Sequence, residues 1–308
     1  MTNIRLGLVG LGKIARDRHL PAIAATEGIE LVAVASRNAT AEGVLNYPDL
    51  AAMLAGEPGL AAVVLCQPPQ ARFDAARMAL AAGKHVFLEK PPGATVSEAQ
   101  ALVALAAQQG VTLFAGWHSR YASAVATAKA WVAAHTLNHI TIDWKEDVRH
   151  WHPRQNWIWE PGGFGVFDPG INALSILTEV IDAPVRLIDA ELETPTNRQA
   201  PIAARLAMAT SAGMPIAADF DWRQTGPQTW DIVIEAEGAM LCLSHGGNTL
   251  VIDNVPQDAG PEAEYPGLYR RFVELIRSGQ SDVDLAPLQI VADAFLRGRS
   301  RSTEEFKD

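Results

Sequence analysis

The stretch Ile4-Arg5-Leu6-Gly7-Leu8-Val9-Gly10-Leu11-Gly12-Lys13-Ile14-Ala15 constrains the chain more than any other, because an apolar strand runs straight into a glycine turn and a helix. That order specifies a βα unit. Gly10 permits the tight turn, and Gly12 lets backbone N–H groups approach a pyrophosphate. Ala15 stands for the third glycine and lets the helix pack close on the strand. The helix N-terminus, from Lys13 and Ile14 onward, adds a partial positive charge. Alone, the pattern fits a plain βα turn equally well, so its context decides.

The second strand, Ile29 to Ala35, ends about 20 residues after the turn, where a dinucleotide fold reads the adenosine ribose. That place carries Ser36-Arg37. An acidic residue would bind a 2′-hydroxyl and repel a 2′-phosphate, whereas a hydroxyl followed by a guanidinium can donate to the phosphate. NADP is therefore favoured over NAD. The alternative for Arg37 is a solvated loop charge.

Beyond this strand the pattern alternates. A helix around Tyr47 to Leu54, a strand Ala61 to Leu65, a helix Ala71 to Ala82 and a strand His85 to Leu88 precede a helix Val96 to Gln109 and a strand Val111 to Ala115. Strands separated by helices make a parallel sheet, which binds ligands at the carboxyl ends of its strands. Those ends are Gly10, Ser36, Cys66-Gln67-Pro68-Pro69, Glu89-Lys90-Pro91-Pro92 and Gly116-Trp117-His118. Pro68 and Pro69 read most simply as strand terminators. Lys90, between a glutamate and a proline, is held by a rigid turn over the cofactor cleft.

From Ser119 the text changes to one helix, Ala122 to Ala134, and then strands joined by turns. They run Ile140 to Val148, Arg186 to Glu193, Ala203 to Ala209, Ile216 to Trp222, Trp230 to Ala236, Met240 to Leu243 and Thr249 to Ile252. The expected fold class is α/β: a Rossmann dinucleotide-binding domain over 1–118 and an α+β domain over 119–284 with a large open, mainly antiparallel sheet. A helix over 285–297, within about 285–300, would return to the first domain. A sheet with one face uncovered commonly pairs with a copy of itself, so a homodimer is expected.

The 308 residues are long enough for two cores, and 48% of them are apolar. A net charge of −10 argues against nucleic acid or an anionic membrane as partner. Cys66 and Cys242 form no CxxC spacing, so neither a disulfide framework nor a zinc site is expected. The chain shows no secretory leader and no apolar run of membrane-spanning length, which places it in the cytoplasm as a first expectation.

Three groups could do chemistry in the second half. Period-two alternation puts Glu146 on the face of Ile140, Ile142 and Trp144, either ending the strand in solvent or lining a polar pocket. His150-Trp151-His152-Pro153-Arg154-Gln155-Asn156-Trp157-Ile158-Trp159 mixes indoles with polar groups, a combination suited to the C–H faces and hydroxyls of a sugar. No third metal ligand at familiar spacing accompanies its two histidines. In Gly162-Gly163-Phe164-Gly165-Val166-Phe167-Asp168-Pro169-Gly170-Ile171-Asn172, Asp168 before Pro169 reads as a helix N-cap. With Asn172 four residues on, it could instead hold and deprotonate a hydroxyl.

The ordered set of the glycine turn, Glu89-Lys90-Pro91, Arg120-Tyr121 and Gly162 to Asn172 resembles the glucose-fructose oxidoreductase and inositol dehydrogenase family over essentially the full length. Within it, Trp144 to Pro153 and Trp157 to Gly163 look like the branch of bacterial L-arabinose and D-galactose 1-dehydrogenases. The resemblance implies that Lys90 and Asp168 flank the reacting carbinol, with Asn172 where the family has a histidine. It also implies sugar contacts from His118, Glu146, Trp151, His152, Asn172 and Trp230. Cofactor contacts would come from Gly10, Gly12, Lys13, Ile14, Ser36, Arg37, Cys66, Gln67, Pro68, Pro69, Arg72, Glu89 and Lys90. Arg72 stands where the family has a histidine after its T-P turn, here Gln67-Pro68. The implied activity is NAD(P)-dependent oxidation of an aldopyranose at C1. An inositol or polyol dehydrogenase and a non-catalytic NADP-binding sensor are the alternatives.

Overall fold

A computed structural model describes residues 3–307, which divide into two units: 3–118 with Tyr265–Asp284, and Ser119–Glu264 with 285–307. The first unit holds a six-stranded parallel sheet of β1 (Ile4–Val9), β2 (Ile29–Ala35), β3 (Leu45–Tyr47), β4 (Ala62–Leu65), β5 (His85–Glu89) and β6 (Leu113–Gly116). Its order is β3-β2-β1-β4-β5-β6, so the direction of winding reverses at β1. A ligand crevice is expected outside the carboxyl ends of β1 and β4, at that reversal. The strands are apolar almost throughout, as parallel strands covered on both faces must be, and Val9, Ala33, Val63, Leu65, Val86 and Leu88 pack against Met53, Ala76, Leu80 and Leu102.

Local chemistry fixes the helices. Val96–Gln109 forms where expected because Thr95 accepts from Glu98 N, the Glu98 side chain reaches back to Thr95 N, and Gly110 closes the end in the left-handed region. The helix expected over 47–54 is shifted: Tyr47 belongs to β3, opposite Ala35, and the helix is Leu50–Gly56. Asp49 sets that start by accepting from Ala52 N at 2.8 Å.

The segment that rejoins the first unit also differs. It is Tyr265–Asp284, containing most of a helix Glu264–Ser278, whereas the helix expected over 285–297 (observed as Ala286–Arg297) belongs to the second unit. Glu264–Ser278 carries Tyr269 and Phe272 against Phe87 and Phe114, with ring centroids 5.3–6.0 Å apart.

The second unit is built on nine strands, adding β7 (Leu137–Lys145), β8 (Val185–Pro195), β9 (Ala203–Thr210), β10 (Pro215–Asp221), β11 (Thr229–Ala236), β12 (Ala239–Ser244), β13 (Thr249–Ile252), β14 (Val255–Gln257) and β15 (Arg299–Thr303). The order is β14-β13-β12-β11-β7-β10-β9-β8-β15, antiparallel except for β7 with β10 and β8 with β15. Alternation works as read: Ile216, Ala218 and Phe220 are buried, and Phe220 meets Phe167 of the helix Phe167–Val180. The other face carries charges in ladders, with Lys145 2.7 Å from Asp219 and Arg223 2.6 Å from Asp221.

The strand expected over 140–148 stops at Lys145. Asp147 accepts from Arg149 N and starts the single turn Val148–Trp151 instead. Among the described residues no helix is long and apolar enough to cross a membrane.

Candidate active site

The glycine turn of the first unit has the form a dinucleotide needs. Gly10 sits at φ +91°, and a Cβ there would stand 3.2 Å from Cys66 C and Gln67 N on the neighbouring strand end. Around Gly12 a Cβ would meet no protein atom within 4 Å, so protein packing does not demand this glycine and the space suits an approaching phosphate. Gln67 Oε1 is buried without a hydrogen-bond partner among the described residues, and a cofactor hydroxyl or amide is the kind of donor it fits. The helix over 13–25 that follows contains a π-helical segment, Ala15–His19, a form frequent at functional sites. Lys13 pairs with Asp17, and Ile14 is 39% exposed. Ser36 and Arg37 follow β2 directly, and Arg37 is exposed with no acidic partner among the described residues.

The turn bearing Lys90 is gripped from two sides. Arg72 is buried, and its guanidinium donates to the carbonyls of Gln67, Glu89 and Pro91. Glu89 is buried as well, and its Oε1 accepts from Tyr265 Oη at 2.7 Å and from His19 Nε2 at 3.2 Å. Arg72 and Glu89, expected as cofactor contacts, thus have protein partners that hold the Lys90 turn. The His19 ring is wholly buried, with Nδ1 2.7 Å from Tyr269 Oη. None of His19, Tyr265 and Tyr269 is singled out by the sequence: Tyr265 and Tyr269 are remote from every motif, and nothing local marks His19, four residues past Ala15, as a partner of Glu89.

This cluster has a pH signature. Burial lowers the His19 pKa, but hydrogen bonding and charge from Cys66 and Glu89 outweigh it and raise the imidazole from 6.5 to about 10. Burial likewise raises Glu89, and the His19 hydrogen bond and charge, with His118 and Lys90 nearby, bring it down from 4.5 to about 2. Stability from His19 is full below 6.5 and lost as pH rises through about 10, and that from Glu89 is full above 4.5 and lost as pH falls through about 2. Melting temperature measured against pH should therefore plateau between about 4.5 and 6.5. Glu89→Gln should lower stability there by about 3–5 kcal/mol, since it leaves a buried imidazole without its counter-charge. An unchanged melting temperature in that window would show that the pair does not stabilise the unit.

The second unit assembles the sugar-type residues. Glu146 is 4% exposed, and its two oxygens accept from Trp222 Nε1 and Trp230 Nε1, each at 3.0 Å. It is buried and bonded on both oxygens, so it does not end the strand in solvent. Trp151, 37% exposed, lies 5.4 Å from the Trp230 ring and donates to Gln228. Trp222, absent from the expected site, is wholly buried two residues past Phe220 on the same face and packs 5.3 Å from His152.

Asp168 is not the N-cap it resembles in sequence. The helix starts at Phe167 with Val166 in the cap position, so Asp168 lies in the first turn and is 4% exposed. Gly165 makes this possible: at φ +54° its N–H donates to Ile158 O, its carbonyl accepts from Asp168 N, and a Cβ would collide with Pro201 O. Asp168 Oδ2 lies 3.4 Å from His152 Nε2. His152 Nδ1 lies 3.3 Å from Gln155 Oε1, an oxygen fixed as acceptor by the Trp157 indole N–H at 3.2 Å. Both His152 nitrogens thus face oxygens. Asn172, one turn after Asp168, is half-buried.

His150 packs edge-on to Trp151, whereas His152 packs on Trp222. Among the described residues no group of three or more potential metal ligands occurs.

Comparison with known proteins agrees with this chemistry. Residues 4–117 match the family model described as an oxidoreductase family with an NAD-binding Rossmann fold. A galactose 1-dehydrogenase of Pseudomonas fluorescens is 45% identical over 308 residues, covering 100% of both chains. The crystal structure of a D-galactose 1-dehydrogenase from Rhizobium etli superposes with a TM-score of 0.96 at 57% identity, over 100% of this chain and 99% of that one. A 3-ketoreductase from Actinomadura kijaniata, solved with NADP, shares the fold alone, with a TM-score of 0.84 at 18% identity over 98% and 100% of the two chains. With a relative 45% identical over the whole of both chains and a matching Rossmann domain, the chain belongs to the glucose-fructose oxidoreductase and inositol dehydrogenase family.

Proposed function

We propose that the protein oxidises the anomeric C1 hydroxyl of an aldopyranose, D-galactose or L-arabinose, to the lactone, using NADP in preference to NAD. The observation that carries this reading is the full-length likeness to galactose 1-dehydrogenases. L-arabinopyranose presents the same ring hydroxyl arrangement without the C6 hydroxymethyl group, so the two sugars are expected to compete for one site.

NADP, when bound, supplies the hydride acceptor at its nicotinamide C4. Asp168 takes the O1 proton as C1 becomes a carbonyl carbon, and His152 holds the carboxylate in place through Nε2. Lys90 and Asn172 orient O1. Glu146, His118 and His152 take ring hydroxyls, while Trp151 and Trp230 present indole faces to the C–H side of the ring. Arg37, exposed and without an acidic partner among the described residues, supports the preference for a 2′-phosphate. Two unpaired cysteines, Cys66 and Cys242, suit a reducing cytoplasm. An open sheet of this kind commonly pairs with a copy of itself, so a homodimer is expected, which sedimentation velocity would test.

A panel of aldoses, inositols and other polyols, followed by the absorbance of reduced cofactor, tests the substrate class. Turnover with D-galactose or L-arabinose and none with inositols is expected. Turnover confined to polyols, or cofactor binding with no turnover on any of them, would overturn the reading.

A further inference from the structure

Tyr265 was not expected at the site, yet it touches His118 and Glu89, the residue before Lys90, and Lys90 and His118 are the two side chains that the first unit is proposed to offer the sugar. Its hydroxyl donates to Glu89 Oε1 at 2.7 Å, one residue before Lys90. Its ring stacks on His118, with centroids 5.3 Å apart and planes 17° from parallel. The ring also meets His19 edge-on at 4.9 Å, and the residue is 4% exposed. Lys90 and His118 leave adjacent strands, β5 and β6, where Glu89 pairs with Gly116. Tyr265 comes from the helix Glu264–Ser278, whose Tyr269 and Phe272 are locked among Phe87 and Phe114, so it is a rigid post.

We propose that Tyr265 is a positioning residue that sets Lys90 through its hydroxyl and His118 through its ring, an inference that rests on the proposed roles of those two residues. The two functions separate chemically. Tyr265→Phe removes the hydrogen bond and keeps the stack, whereas Tyr265→Leu removes both.

Tyr265→Phe is expected to lower kcat about 10-fold, with KM for D-galactose and the dissociation constant of NADP within about twofold of wild type. Tyr265→Leu should lower kcat as much and also raise the sugar KM about 10-fold. Adding His118→Ala to Tyr265→Leu should raise that KM no further than His118→Ala alone, since both remove one contact. A merely structural role would lower melting temperature and active fraction without splitting kcat from KM, and the conservative phenylalanine would then restore wild-type kinetics. Wild-type kcat for Tyr265→Phe beside an inactive Lys90→Ala would overturn the proposal and leave the proposed roles standing. Wild-type kinetics for both Lys90→Ala and His118→Ala would overturn those roles and the proposal with them.

Discussion

Asp168→Asn is expected to lower kcat by roughly 100-fold or more while leaving NADP affinity and melting temperature near wild type. An amide has the shape of the carboxylate but cannot accept the O1 proton. The structure sharpens this expectation, because Asp168 lies in the first turn of Phe167–Val180 and does not cap it, so no cap is lost. What is lost for stability is a carboxylate near a helix N-terminus, about 0.3–1 kcal/mol, and its contact with His152 Nε2 at 3.4 Å. Steady-state kinetics with a thermal melt separates the outcomes. Near wild-type kcat in Asp168→Asn beside a dead Lys90→Met would move proton acceptance to Lys90. A large fall in melting temperature with turnover intact would make Asp168 structural.

The cofactor preference yields the second large effect. Arg37→Leu should raise KM for NADP by about 10- to 100-fold, the worth of a charged hydrogen bond, and change KM for NAD little. Ser36→Asp should act the same way and more strongly, by adding repulsion to the 2′-phosphate. Higher salt should weaken NADP more than NAD, since Arg37 is exposed. Measuring kcat/KM for both cofactors at fixed sugar decides it: equal losses for the two in Arg37→Leu would mean that the arginine is structural.

How much of this was legible in the sequence follows from how local each determinant is. The glycine turn and the helix Val96–Gln109 are written within a few consecutive residues, and the fold carries them as read. Helix starts were missed where one acidic side chain decides. Asp49 ends the 47–54 reading and Asp147 ends the strand before Val148, because an Asx cap acts over three residues against weak background propensity. The helix Glu264–Ser278 went unread although its amphipathic pattern is strong, and with it went the segment that rejoins the first unit.

At the site the residue types were readable and their partners were not. Glu146 could be placed on an apolar face, but its indole donors Trp222 and Trp230 lie 76 and 84 residues away. Tyr265 lies 176 residues from Glu89, and His19 lies 70. Such pairs exist only once the topology has closed, so no periodicity or spacing announces them. Arg72 shows the same gap: its place in the chain suggested a cofactor contact, while the fold supplies it with three backbone carbonyls.

The central claim is that hydride leaves C1 of an aldopyranose, and isotopic transfer tests it most directly. D-galactose deuterated at C1 should be turned over with its label appearing at C4 of the reduced nicotinamide, and the lactone should be label-free. Deuterium retained in the sugar product, with transfer seen instead from galactose labelled at another carbon, would contradict the account.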